Sequence, residues 1–285
     1  GITVFDTVDL EELLPCINWK MLYHAWKVPF VSHEADELKR DALKLLSLCE
    51  KRGDFTPQEA FSPRAVFGLF PAAAVGDDVV VFEAEENRKQ LLTLHFLRQQ
   101  KNTDADVSLS LSDYVLPGDG AGNPRDFMGV FSATAGTAIK NRIDTYNSEG
   151  DLYRALLLQV LADRLAEALA ELVHHKVRKD LWGYEPVSVK VEHTGIRPAV
   201  GYPSAPDHTE KELILRLLGG TENTRISLTD TFAMNPAAAV CGYLFSDSNA
   251  AYFSVGKIDQ DQLNDYAERK GWTESESRYW LAPLL

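Results

Sequence analysis

Apolar residues recur at helical spacing in several parts of the chain, most clearly between residues 151 and 181. The apolar row of that segment consists of Leu157, Leu161, Leu165, Leu169, Leu172 and Val173. A second row, formed by Asp163, Glu167 and Glu171, lies two steps of about 100° away on a different face. An acidic row usually marks a solvated helix face, and we predict one here. Shorter helices are predicted at residues 34–52, 209–218, 259–270 and 274–280.

Runs of β-branched and aromatic residues between turn-forming residues predict extended segments. These segments cover residues 65–70, 79–82, 109–116, 127–135, 226–229, 238–243 and 251–255. Residues 91–100 fit a strand and a short helix equally well. Helices and strands follow one another without a regular βαβ alternation, which predicts a single domain that mixes α and β elements.

Composition narrows the class of protein. A chain of 285 residues with 45% hydrophobic content can bury a substantial core. No window approaches roughly 18 consecutive apolar residues, and the N-terminal segment carries acids where a signal peptide carries lysines, so we expect a soluble, cytoplasmic protein without membrane contact. The formal charge of −13 argues against a nucleic-acid partner. Cys16, Cys49 and Cys241 lie far apart and are expected to be buried free thiols.

Familiar catalytic and metal-binding patterns are missing from the sequence. The glycine-rich stretch 118–122 is followed by Pro124 and a β-type run, whereas a dinucleotide-binding fingerprint opens directly into a helix. His174 and His175 are adjacent, so on a helix they point about 100° apart and cannot chelate one ion together. Neither H-E-x-x-H nor Gly-x-Ser-x-Gly occurs. A hydrolase or a metal enzyme is therefore disfavoured.

The segment 197–203 carries the clearest chemistry. Arg197 offers a planar fork of donors that fits a carboxylate, and Pro198 and Pro203 stiffen the backbone. Gly201 allows close approach to the main chain, and Tyr202 adds an aromatic face. Such a segment suits an amino-acid-like ligand with a flat group attached. A rigid turn held by an arginine salt bridge fits the same residues.

Together with several other motifs, this segment identifies a family resemblance. The motifs are residues 197–203 with 206–211, 161–168 with 182–184, 68–71, 75–78, 97–100, 111–114, 232–236, 261–271 and 280–283. Because they occur along the chain in the same order as in the family, they resemble the C-terminal activation domain of cobalamin-dependent methionine synthase, which binds S-adenosylmethionine. The resemblance covers almost all of residues 1–285. It implies one C-shaped α+β domain with a twisted antiparallel sheet flanked by helices, unlike the Rossmann methyltransferases.

The resemblance also implies a ligand site. The family's arginine that corresponds to Arg197 holds the ligand's carboxylate. The family's helix carboxylate that corresponds to Glu167 lies near the methionine end of the ligand. Asn18 replaces the aspartate that the family usually has in an Ile-Asp-Trp motif, so a hydrogen bond remains there without the charge. The implied S-adenosylmethionine-binding residues are Arg197, Ala199, Gly201, Tyr202, Tyr252, Phe253, Asn18 and Glu167. No catalytic side chain and no metal ligand are implied.

The implied function is donation of the methyl group of S-adenosylmethionine to cob(I)alamin during reductive reactivation of methionine synthase, the 5-methyltetrahydrofolate–homocysteine methyltransferase of methionine biosynthesis. Cobalamin, folate and homocysteine would bind to domains outside this chain. The implied partners are the cobalamin-binding domain and a flavodoxin or similar reductase. Lys176, Arg178 and Lys179 are candidates for a basic docking patch, or form a solvated helix end.

Two other interpretations remain open on the sequence. The first is a module that binds or senses S-adenosylmethionine, or a stand-alone activator of another corrinoid protein, without methyl transfer of its own. The second is an unrelated hydrolase or metal enzyme.

Overall fold

The computed structural model describes residues 1–6, 8–50, 61–84, 89–100, 107–185 and 194–285, with the backbone alone at Cys49 and Glu50. Its centre is an antiparallel sheet that consists of β1 (Ile2–Phe5), β2 (Arg64–Val75), β3 (Asp78–Phe82), β4 (Gln90–His95), β5 (Asp126–Thr134) and β8 (Ala239–Leu244). The order is β4-β3-β2-β5-β8. The edge of β2 opposite β5 pairs with β1 in its first half and with β3 in its second half. A small ladder joins β6 (Ser227–Leu228) to β7 (Met234–Asn235).

Helices cover both faces of the sheet. They are α1 (Leu10–Leu13), α2 (Trp19–Ala25), α3 (His33–Glu50), α4 (Ile139–Ser148), α5 (Leu152–Lys176), α6 (Glu210–Leu218), α7 (Gly220–Thr224), α8 (Gln260–Lys270) and α9 (Glu274–Trp280). Because strand side chains alternate between faces, Phe67 and its register partner Phe131 pack in the core with α5. The adjacent Val66 and Val130 pack in the core with α6 on the other face. The α+β architecture expected from the resemblance is confirmed.

The longest helix follows the predicted apolar row. Leu161, Leu165 and Leu169 are completely buried, and Asp151 caps the N-terminus of α5 by accepting a hydrogen bond from the Arg154 amide. A π-helical turn, Val177–Leu181, continues α5, and Gly183 follows with a positive φ of 74°. Among the described residues, no helix combines the length and apolarity that a membrane span requires.

Two predicted extended segments are wrong, and the reason is side-chain hydrogen bonding. Within 109–116, residues Leu111–Tyr114 form a 3₁₀ turn, because Ser110 and Asp113 cap each other reciprocally. In 251–255 the backbone joins no strand. Instead, Ala251 and Phe253 donate their amides to Tyr114 Oη and Ser204 Oγ, at 3.3 Å and 3.2 Å.

Most other predicted elements are confirmed within one or two residues, but the strand predicted over 65–70 continues to Val75 as β2. Residues 91–95 of the ambiguous segment 91–100 belong to strand β4, which begins at Gln90. The helix predicted over 34–52 begins at His33 and is described as far as Glu50, so its predicted end at Gly53 lies outside the described residues. Cys241 is buried as expected, whereas Cys16 is half-buried. The side chain of Cys49 lies outside the described part.

Candidate ligand-binding cleft

The segment 196–200 lies along the free edge of β8 and extends the sheet there. Ile196 and Phe245 exchange backbone hydrogen bonds of 3.1 Å, and Val200 donates its amide to Cys241 O at 3.0 Å. Tyr243 donates its amide to Pro198 O at 3.0 Å. A Cβ at position 242 would collide with that carbonyl, so Gly242 allows the close approach. The sheet therefore fixes the backbone on which Arg197 stands.

A tight turn follows at residues 199–205. Ala205 donates its amide to Tyr202 O at 2.9 Å, and Gly201 donates to Ala205 O at 2.7 Å. Gly201 has a φ of 95°, and a Cβ there would lie 2.5 Å from the ring of His208. Both the conformation and the packing therefore require glycine at this position. Lys211 Nζ donates to His208 Nδ1 at 2.6 Å and holds the ring behind the turn.

Residues 203–204 are joined to the facing segment 253–255. Val255 donates its amide to Pro203 O at 2.9 Å, and Ser204 Oγ donates to the carbonyl of Phe253. Between these walls and α5 lies a cleft of about 460 Å³, within the range of roughly 300–1,000 Å³ that is typical of small-molecule sites. Its lining consists of Glu167, Arg197, Pro198, Ala199, Tyr202, Pro203, Ser204, Val240, Tyr252, Phe253 and Ser254.

Six of the eight predicted site residues line this one cleft: Glu167, Arg197, Ala199, Tyr202, Tyr252 and Phe253. They come from three parts of the chain, α5, the loop after it and the segment after β8, which the sheet brings together. The grouping supports one ligand site at this position. Ligand contacts by each residue remain a prediction.

The guanidinium of Arg197 is anchored on one side only. Its Nη1 donates to Glu171 Oε2 at 2.8 Å and to Ala170 O at 3.1 Å. Among the described residues, Nε and Nη2 have no hydrogen-bond partner. The side chain is 15% exposed, and it lines the cleft. Arg197 therefore combines a fixed position with unused donors, which suits a carboxylate ligand.

Two tyrosines present exposed rings at the cleft. Tyr202 Oη donates to Glu167 Oε1 at 3.2 Å, and Tyr252 Oη accepts the Arg197 amide at 2.9 Å. Burial, and then the charge of Glu167, raise the pKa of Tyr202, which keeps its hydroxyl protonated as a donor. The two residues are 55% and 64% exposed. Paired aromatic surface left open beside unused donors is typical of a binding site.

The prediction that the acidic row of α5 faces solvent is wrong. Glu171 pairs with Arg197, Glu167 accepts from Tyr202, and burial raises the pKa of Asp163. The loop 194–204 folds back over the row, so that Glu167 lines the cleft and Glu171 contacts Arg197. That contact joins residues about 30 positions apart, which helical periodicity within one segment cannot reveal.

Glu171 holds Arg197 at the cleft, although neither the helical pattern nor the resemblance predicts a role for it there. Burial alone would raise its pKa, but the charge and hydrogen bond of Arg197, followed by the charge of Arg178, lower it to about 2. It is therefore ionised at neutral pH. No local signal in the sequence marks this pairing, because Arg197 lies 26 positions further along the chain.

Arg178 is not part of a basic docking patch, since it is 2% exposed. It lies between Glu171 Oε1 at 3.4 Å and Glu185 Oε2 at 3.3 Å. Its Nη1 donates to His174 Nδ1 at 3.0 Å. Burial of an arginine that is paired on two sides indicates a structural role. Lys176 pairs with Glu12 on α1 at 3.2 Å.

Two predicted site residues lie outside the cleft lining. Gly201 forms the turn behind it, packed on His208. Asn18 caps the N-terminus of α2, accepting the Met21 amide at 3.4 Å, and lines a separate cleft with Trp19 and Lys39. Burial, and then the charge of Glu171, raise the pKa of the neighbouring Cys16, and the charge of Arg197 opposes them in part. The segment that contains Cys16 and Asn18 therefore lies near the Glu171–Arg197 ion pair. A ligand contact by Asn18 stays a prediction.

Comparison with known proteins shows the family of this chain. A family model described as the vitamin B12 dependent methionine synthase activation domain matches residues 9–271. The chain is also similar to the protein in a crystal structure of the MetH reactivation domain bound to AdoHcy (S-adenosylhomocysteine). The two sequences are 36% identical, and the TM-score between the two structures is 0.89. The match covers 100% of this chain and 90% of that chain. The chain therefore belongs to the family of activation domains of vitamin B12-dependent methionine synthase.

Proposed function

We propose that the cleft binds S-adenosylmethionine and presents its methyl group to cob(I)alamin carried by the cobalamin-binding domain of methionine synthase, during reductive reactivation. One observation carries the proposal: among the described residues, Arg197 is anchored only through Nη1, and it lines a cleft with two exposed tyrosine rings. The relative whose crystal structure contains AdoHcy supports the same ligand class.

The polar groups of the cleft match the amino-acid end of this ligand. The remaining donors of Arg197 can take its carboxylate in a bidentate fashion. Glu167 lines the same cleft and offers negative charge toward the ammonium or the sulfonium. The overall charge of −13 also favours a cationic ligand through the long-range field.

The aromatic and backbone groups match the adenosine end. Tyr202 and Tyr252 offer ring faces, and Phe253 adds an apolar wall. Ala199 leaves room beside the stiff Pro198, so that a flat ring can approach the main chain. The role of these residues is to fix the ligand's orientation.

Positioning is the chemistry that this chain supplies. S-adenosylmethionine carries a methyl group on a sulfonium, whose C–S bond breaks with both electrons going to sulfur as the methyl carbon bonds to cobalt(I). The step needs no proton transfer, so it needs no acid or base from the protein. Fixing the methyl carbon in line with the incoming metal lowers the entropic part of the barrier. One electron from a flavodoxin or a similar reductase would reduce cob(II)alamin to the cob(I)alamin that accepts the methyl group.

Isothermal titration tests the binding step. We expect S-adenosylmethionine and AdoHcy to bind to the wild type, and Arg197→Ala to weaken both by about 10–150-fold, because hydrogen bonds to charged groups contribute roughly 1.5–3 kcal/mol. Arg278→Ala is the matched control, since Arg278 is an exposed arginine paired with Glu274 on α9. No heat with the wild type, or equal affinity in Arg197→Ala, would refute the proposed site.

Mixing the chain with the cobalamin-binding domain in its cob(I) form tests the transfer step. S-adenosylmethionine should convert the corrinoid spectrum to that of the methylated form, and Arg197→Ala should slow the conversion. Binding without any conversion would favour a sensing module instead.

A further inference from the structure

We infer that Glu171 is a positioning residue for the ligand's carboxylate and acts through Arg197. The inference rests on the proposed function and goes beyond the implied ligand contacts, among which Glu171 does not appear. Glu171 does not line the cleft. It touches the guanidinium from behind, so any effect on a ligand must pass through Arg197.

The two carboxylate oxygens of Glu171 hold two different arginines. Oε2 accepts from Arg197 Nη1 at 2.8 Å, and Oε1 accepts from Arg178 Nη2 at 3.4 Å. Arg197 Nη1 also donates to Ala170 O, which comes from the residue before Glu171 on α5. The last turns of the helix therefore fix the height and the plane of the guanidinium.

Arg178 makes this anchor rigid. It is almost completely buried and contacts Glu185 as well as Glu171. Because arginine only donates, His174 Nδ1 must accept from it. His174 is then neutral, with its proton on Nε2, where Tyr184 Oη is the partner at 2.9 Å. A Cβ at Gly195 would meet that tyrosine hydroxyl at 3.0 Å, so the same chain of contacts supports the segment that leads into Arg197.

Sharing is geometrically possible because a guanidinium has five donors in a fixed fork. Glu171 and Ala170 use Nη1, which leaves the Nε and Nη2 edge for a second carboxylate. A long arginine side chain without this anchor has many rotamers, and a ligand would have to order it on binding. Glu171 also carries a negative charge, which repels a ligand carboxylate. We expect the ordering effect to dominate, because the two carboxylates contact different edges of the cation.

The test compares two ligands that differ in the carboxylate alone, S-adenosylmethionine and decarboxylated S-adenosylmethionine. Both are measured by displacement of AdoHcy in titration calorimetry, so that weak binding remains measurable. We expect Glu171→Ala to weaken S-adenosylmethionine about 10-fold or more and the decarboxylated ligand less than about 2-fold, in line with the effect of hydrogen bonds to charged groups. Glu171→Gln keeps an acceptor for Nη1 of Arg197, so it should bind S-adenosylmethionine with most of the wild-type affinity.

Glu12→Ala is the matched control, because Glu12 also pairs with a cation of α5, Lys176, and lies away from Arg197. It should leave both affinities unchanged. Equal weakening of both ligands by Glu171→Ala would indicate a structural role only and would overturn the inference. Unchanged or tighter binding of S-adenosylmethionine would mean that Glu171 is idle or competes. A wild type that binds none of these ligands would instead refute the proposed function.

Discussion

One stretch of chain, residues 197–211, contributes to two clusters of charge with opposite character. The first is the open cluster of Arg197, Glu171 and Glu167 at the cleft. The second is the closed cluster of Asp207, Glu210 and Lys270 beneath α6 and α8. The two clusters use the same kinds of ion pair, so their difference lies in what the pairs leave unused.

The closed cluster is buried, and its members are bound to one another. Lys270 Nζ lies 2.6 Å from Glu210 Oε1 and 3.2 Å from Asp207 Oδ2, and all three side chains are less than 10% exposed. Thr209 Oγ1 accepts from the same ammonium at 2.9 Å, and Tyr266 Oη donates to Asp207 Oδ2 at 2.7 Å. This cluster ties α8 to the start of α6 and contributes to the fold.

The open cluster keeps hydrogen-bond donors and aromatic surface available for a ligand. Arg197 has donors beyond those that Glu171 and Ala170 use, and the neighbouring Tyr202 and Tyr252 are more than half exposed. Removing one partner of a buried, fully paired cluster destabilises the fold, because it leaves the other charge unpaired. Fixed charge with spare donors beside exposed rings is suited to binding a ligand. The comparison predicts that substitutions in the closed cluster lower the free energy of unfolding, while substitutions in the open cluster lower ligand affinity.

The largest expected effect on stability comes from Lys270→Met. It leaves Glu210 and Asp207 buried without their cation, which costs roughly 3–5 kcal/mol of unfolding free energy. Urea denaturation measures this loss, and calorimetry on the folded fraction should give an unchanged affinity for AdoHcy. Lys140→Met is the control, because the Lys140–Asp144 pair is more than half exposed on both sides and contributes at most about 1 kcal/mol. A similar loss in both variants would remove the distinction between the clusters.

A smaller effect is expected from Gly201→Ala, which tests how the two regions are joined. The new Cβ meets the His208 ring at a φ of 95°, so we expect a loss of about 1–3 kcal/mol in unfolding free energy together with weaker AdoHcy binding. The control is Gly76→Ala, since Gly76 also has a positive φ but nothing lies within 4 Å of its Cβ position. Strain without collision should cost less there and leave binding unchanged. Equal costs would show that His208 does not support the turn.

The smallest expected effect is the pH dependence of stability that the open cluster causes. The folded pKa of Glu171, about 2, lies below its ordinary value of 4.5, so its ion pairs stabilise the fold fully above pH 4.5. This contribution is lost as pH falls from 4.5 toward 2. The stability advantage of the wild type over Glu171→Gln should therefore shrink over that window in urea titrations. It should stay below about 1 kcal/mol, since the side chain is 41% exposed. A pH-independent difference would contradict the ionised pair.

The sequence pattern predicts the elements whose conformation depends on residues close to one another in the sequence. The apolar row of α5 and the long runs of β2 and β5 appear in the sequence because burial selects them directly. The 3₁₀ turn Leu111–Tyr114 was missed because a reciprocal cap between Ser110 and Asp113 overrides its strand-like composition. The cleft itself followed from the resemblance, through the motif that begins at Arg197.

Long-range pairing limits what the sequence alone can show about the site. The helical pattern predicts a solvated face for Glu171, because nothing near it in the sequence reveals the loop that covers it. Arg178 was placed among surface lysines, although Glu185 and Glu171 enclose it. The carbonyl oxygen of Asn18 caps α2, a task that asparagine and aspartate perform equally well, and its contact with a ligand stays a prediction.

The central claim is that Arg197 serves two carboxylates, one from Glu171 and one from the ligand. A crystal structure with AdoHcy tests it most directly. We expect the ligand's carboxylate within about 3 Å of Nε and Nη2 of Arg197, with Glu171 still bound to Nη1. A ligand that displaces Glu171 from the guanidinium, or that lies outside the cleft formed by Tyr202 and Tyr252, would contradict the account.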